Sequence, residues 1–145
     1  MLNLISIILV TITSLLWVIS TRSYCEIYTK KILPAIKAYI ACVLVKDYGV
    51  PQLRVARLLD MAQPAVNYIV TGRRRSKCMN LVDKCPELKS ILDLYVLEIY
   101  RGALFHPCVI CEKIVRNDKV LRSILNALGE EMAITNFCPG GSLSR

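Results

Sequence analysis

The chain has 145 residues, room for one packed domain with an appendage and too little for two catalytic domains, which argues against a multi-step enzyme. Hydrophobic residues make up 54% of it, above the usual range for soluble domains, and much of the excess lies in Met1 to Ser20. The formal charge of +8 arises entirely before Leu81: up to Asn80 eleven basic residues face three acidic ones, and from Leu81 onward eight balance eight. A polyanion-binding surface therefore belongs to the first half. A plain solvated basic face is the alternative.

Met1 to Ser20 reads MLNLISIILVTITSLLWVIS, twenty residues without a charge. As a helix it is long enough to cross a hydrocarbon core of about 30 Å. Trp17 and then Arg22 form an interfacial aromatic followed by a cation, and the basic residues behind them would leave the remainder cytoplasmic. The absence of a basic side chain before this run argues against a cleaved signal peptide. Residues 1–21 are expected to form an apolar helix, either a membrane anchor through residues 1–20 or the product of a start assigned too far upstream. Asn3, Ser6, Thr11, Thr13 and Ser14 dilute its hydrophobicity.

From Leu33, apolar residues Ile36, Ile40, Val43 and Leu44 recur at spacings of three and four, which predicts a helix with one packing face ending at Gly49. Pro51 then suits the first turn of a second helix, where its missing N–H is not needed. Gln52 to Thr71, QLRVARLLDMAQPAVNYIVT, carries the most informative pattern. Val55, Ala56 and Leu59 are expected to face inward, the small Ala56 letting the next helix cross closely. Asp60 and Met61 make a turn from which Met61 returns to the core. A further helix follows from about Ala62, with Val66 and Ile69 inward and Gln63, Asn67 and Tyr68 outward. Pro64 is tolerated in its first turn, and Gly72 closes it.

Such a unit is a helix-turn-helix, whose second helix can enter a major groove about 12 Å wide. Gln63 and Asn67 can each pair bidentately with adenine, and Tyr68 can reach a phosphate or a thymine methyl. GRRRSK follows at once, so Arg73, Arg74, Arg75 and Lys77 would neutralise phosphates. An ordinary pair of packed helices is the bland alternative, but it leaves three successive arginines unexplained.

Gln52, Val55, Ala56, Leu59, Met61, Gln63, Val66, Ile69 and the GRRR run resemble the lambda-repressor/Cro-like helix-turn-helix family. More narrowly, the stretch from Cys25 to Lys77 is similar to a group of small archaeal transcriptional regulators with a CxxC near the C-terminus, a likeness that extends to about Cys111. The resemblance implies an all-α domain, a homodimer, and Gln52, Gln63, Pro64 and Asn67 at or near the operator; Tyr68 and Thr71 are further candidates for the base-reading surface. Asp60 departs from the family, which usually has Gly in the turn. The apolar N-terminus is a second departure.

Pro86 opens another helical stretch, PELKSILDLYVLEIYRG, with Leu88, Ile91, Leu92, Tyr95 and Ile99 on one face and Gly102 as its stop. It either forms a dimer interface or completes the core. Seven cysteines at irregular spacing do not read as a secreted disulfide framework, and reduced thiols or a metal site are expected. Cys108 and Cys111 have the two-residue gap that lets both sulfurs point at one ion. Cys138 is a plausible third ligand and Cys85 a fourth, with Cys78 and Cys25 as alternates. His106 could also ligate, although a histidine beside Pro is more often a surface residue. An iron–sulfur cluster, structural zinc, and unmetallated thiols or a disulfide all stay open, thiolate-only ligation favouring iron–sulfur over zinc. Cys42 is most simply a core residue.

The expected architecture is thus an all-α helical bundle: the apolar helix 1–21, a DNA-binding helix-turn-helix domain at 24–80, and a cysteine-bearing helical dimerisation region at 81–145. The expected function is sequence-specific binding of double-stranded DNA as a cytoplasmic transcriptional regulator, with the cysteines sensing redox or metal status. Alternatives are a membrane-tethered basic adaptor that meets anionic lipid, a zinc-containing interaction protein, and a thiol-disulfide enzyme using Cys108 and Cys111, which lacks the surrounding βαβ pattern. No paired carboxylates, phosphate-binding glycine loop or Ser/His/Asp set supports other catalysis.

Overall fold

A computed structural model of the chain describes Leu4, Ile5, Ile8, 23–72 and 75–130, giving the backbone only at 75–79. Among the described residues the fold is all-α, without strands. The chain divides into two units, one holding the residues up to Ile27 and the other starting at Tyr28. In the first, Leu4, Ile5 and Ile8 are helical and exposed. A short helix α1, Tyr24–Ile27, is opened by Ser23, whose carbonyl and hydroxyl oxygens both accept from the Glu26 N–H at 3.1 and 3.3 Å. The rest of the expected helix at 1–21 lies outside the described residues. No helix among those described is long and apolar enough to cross a membrane.

The second unit begins with a π-helical turn, Tyr28–Ile32, that runs directly into α2, Leu33–Lys46. Around α2 pack α3 (Gln52–Leu58), α4 (Gln63–Val70), α5 (Arg75–Lys84) and α6 (Pro86–Tyr100). Helices α7 (Pro107–Arg116) and α8 (Asp118–Leu128) pack on each other, and α8 also meets α5 and α6. The single packing face expected for α2 is too narrow a description. Ala35, Ile36, Ala38, Tyr39, Ile40, Ala41, Cys42 and Leu44 are all buried, whereas Val43 is half-buried. Alanines at 35, 38 and 41 let neighbours approach on several sides, so the helix is enclosed rather than laid on a surface. The division expected between 80 and 81 falls inside α5, and the residues on either side of it belong to one unit.

Helix ends follow local chemistry. Pro51 stands one residue earlier than expected, at the N-cap of α3 with ψ 136°, and its carbonyl accepts from the Arg54 and Val55 N–H groups at 2.9 and 3.1 Å. At the other end of α3 the Met61 N–H donates to the Ala56 carbonyl (2.9 Å) and the Asp60 N–H to the Arg57 carbonyl (3.4 Å). This is a Schellman closure, which requires the first of the two donor residues to be left-handed. Asp60 is that residue, at φ 50°, where the other positive-φ residues described are glycines. The same closure after α6 uses Gly102, flanked by Gly102 N–H to Ile99 carbonyl and Ala103 N–H to Glu98 carbonyl bonds of 3.0 Å each.

A left-handed Asp costs about 1 kcal/mol. Burying Val55, Leu59, Val66 and Ile69 contributes about 2 kcal/mol apiece, so the core holds the turn against that cost. Asp60→Gly is expected to raise stability by about 1 kcal/mol, and Asp60→Val, β-branched, to lower it further than the wild type. Chemical denaturation of the three proteins measures both; a Gly variant less stable than wild type contradicts the strained turn.

Two phenols tie the bundle together. Tyr39, buried on α2, donates to the Asp93 carboxylate on α6, and Tyr28 donates to the Pro107 carbonyl at 2.7 Å. Burial is the main cause that pushes both phenols above their ordinary value; the hydrogen bond to and charge of Asp93 add to it at Tyr39, and nearby Cys111 and Cys108 at Tyr28. A phenol whose pKa is raised by folding keeps its proton in the native state after the unfolded chain begins to lose it. Its contribution is therefore complete below about pH 10 and falls as pH rises past that value. Stability should drop on going above about pH 10, and Tyr39→Phe should flatten that drop while lowering stability at neutral pH. An unchanged alkaline slope in the variant contradicts the assignment.

Candidate nucleic-acid interface and cysteine pair

Helix α4 is sorted cleanly by burial. Val66 and Ile69 are inside, Ala65 and Val70 are half-buried, and Gln63, Pro64, Asn67, Tyr68 and Thr71 are exposed. At about 100° per residue the exposed set runs Gln63, Asn67, Thr71, Pro64, Tyr68 around about 140° of arc. Two features fix this orientation. Ile69 packs with Ala38 and Cys42 of α2, and Met61, half-buried, seals the same cluster from the turn. Ala62 caps the helix in extended backbone and Pro64 occupies the first turn, where no intrahelical N–H is required. Gly72, at φ 82°, ends it.

Thr71 donates its hydroxyl to the Asn67 carbonyl at 2.8 Å, so this group has no proton to offer elsewhere. Gln52, the first residue of α3, is half-buried. Arg73 and Arg74 lie outside the described residues, as do the side chains of Arg75 and Lys77; the backbone places Arg75 and Lys77 at the start of α5. Among the cations given no role from the sequence are Arg54, Arg57 and Lys37. Arg54 and Arg57 are exposed on α3, opposite its buried Val55 and Ala56. Lys37 of α2 reaches the Asp60 carbonyl at 3.5 Å and lies 5.8 Å from the centre of the Phe105 ring. The spacing of Arg54 and Arg57, three apart and out of phase with Val55 and Leu59, carries the signal for the first two. Nothing local signals Lys37, whose partners are distant in sequence.

The CxxC opens α7. Cys108 is exposed and Cys111 half-buried. His106 is the N-cap, its Nδ1 accepting from the Cys108 N–H at 3.3 Å, and its own N–H donates to the Tyr95 hydroxyl at 2.9 Å. Together with the bond from Tyr28 to Pro107, these contacts pin the start of α7 to α6 and to the turn before α2.

Cys85 is fully buried at the N-cap of α6 and is not gathered with Cys108 and Cys111; its place between α5 and α6 makes it a core residue. Cys25 is disulfide-bonded, one of the outcomes left open beside reduced thiols and a metal site. Cys138 and the side chain of Cys78 lie outside the described residues. No group of three or more His, Cys, Asp or Glu able to hold a metal ion occurs among the described residues. Two thiols do not complete a zinc or iron–sulfur site, which needs about four donors.

The chain matches no family model, no curated protein and no solved structure.

Alkylation of the folded chain should mark Cys108 first and leave Cys42 and Cys85 untouched until unfolding, as read by peptide mass mapping. Equal labelling of Cys85 and Cys108 contradicts the placement of Cys85 in the core.

Proposed function

We propose that the chain is a sequence-specific double-stranded DNA-binding regulator in which α3, the Asp60 turn and α4 form a helix-turn-helix. One observation carries the reading: α4 buries Val66 and Ile69 while Gln63, Asn67 and Tyr68 stay exposed on the opposite arc. Amides in that position can meet adenine edges in a major groove. The basic excess before Leu81, including exposed Arg54 and Arg57 and the Arg73 to Arg75 run, supplies phosphate contacts. The protein acts as a homodimer on paired half-sites, a reading supported by Leu94 and Leu104, apolar and 65% and 82% exposed at and beyond the outer side of α6. The Cys108–Cys111 pair reports redox state, and a zinc ion or cluster there would need further donors such as Cys138. No catalytic step is assigned.

Fluorescence anisotropy with duplex DNA from upstream of the chain's own coding sequence, against a shuffled duplex, tests the proposal. Gln63→Ala and Asn67→Ala should each weaken specific binding about tenfold and leave binding to the shuffled duplex unchanged. Arg54→Ala with Arg57→Ala should weaken both duplexes alike and reduce the salt slope. Amide variants that bind as the wild type while the arginine variants do not would point to a sequence-blind polyanion surface, the adaptor that meets anionic lipid among them.

A further inference from the structure

The exposed arc of α4 holds two amides, a proline, a phenol and a hydroxyl, and no charged side chain. That composition restricts what the helix can read. The strongest guanine contact is a bidentate Arg or Lys on O6 and N7, and cytosine N4 is met by Asp or Glu; neither type stands on this arc. Asn and Gln match adenine N6 and N7, and an apolar surface matches the thymine methyl. Thr71 has given its proton to the Asn67 carbonyl, which leaves the two amides as the polar readers along one edge of the arc.

Gln63 and Asn67 are four residues apart, about 6 Å along the helix axis, and point in nearly the same direction. Base pairs rise about 3.4 Å each, so the two amides fall on pairs about two steps apart. Pro64 is exposed about 60° further round the arc than Asn67 and one residue beyond Gln63 along the axis, where an apolar ring can lie against the methyl of a neighbouring thymine.

We infer that α4 reads an A·T core: two adenines about two base steps apart, one for Gln63 and one for Asn67, with a thymine methyl against Pro64. This rests on the DNA-binding reading above and narrows it to a base class. Guanine or cytosine specificity in the same half-site comes from residues outside α4.

Selection of bound duplexes from a random pool by the full-length chain tests it, followed by affinity measurements on the selected half-site. Expected is a core of A·T pairs at the two reading positions, with each A·T to G·C change weakening binding about tenfold. Gln63→Arg should shift the selected base at one of these positions from adenine to guanine, and the circular dichroism of this exposed-site variant should match that of the wild type. A G·C core, or a Gln63→Arg selection identical to the wild type's, overturns the inference while leaving DNA binding in place. No enrichment of any duplex overturns both.

Discussion

Everything that presents α4 depends on the junction between it and α3. Val55 from α3, Leu59 at its C-cap, and Val66 and Ile69 from α4 are all buried, and the chain must reverse between the two helices within four residues. Only a left-handed residue allows the paired hydrogen bonds that close α3 and release Met61 toward the core. The hydrophobic gain is several-fold larger than the cost of forcing Asp60 there. Lys37 touches the carbonyl of the same residue, so the enclosed helix α2 supports the turn from beneath as well as through Ile69. The outward arc of α4 is set by this arrangement and by nothing on the arc itself.

Most of that junction was legible in the sequence because it is local. The three- and four-residue spacings of Val55, Leu59, Val66 and Ile69 fix which sides face inward, and Gly72 and Gly102 mark helix ends through backbone freedom alone. What was missed is non-local. The burial of α2 on several sides depends on four helices arriving from elsewhere in the chain, which a periodicity count cannot see. Its alanines were the available hint. The division between 80 and 81 followed a shift in charge balance, yet charge balance describes the surface, and α5 crosses the position as one continuous helix.

The cysteines show the same limit more sharply. A gap of two residues says that Cys108 and Cys111 share one helix end, and they do. It says nothing about distant partners, and there Cys85 went to the core and Cys25 into a disulfide. What the structure adds is a set of tethers: His106, Tyr28 and Tyr95 hold the start of α7 through backbone hydrogen bonds, so chemistry at the thiols would act on the same bundle that carries α2.

If α4 reads DNA as proposed, backbone amide shifts of isotope-labelled chain titrated with a selected duplex locate the contact surface directly. The largest changes should fall at the start of α3 and from Ala62 to Gly72, with α8 unaffected. Changes concentrated on α7 and α8, with α4 silent, would contradict that reading.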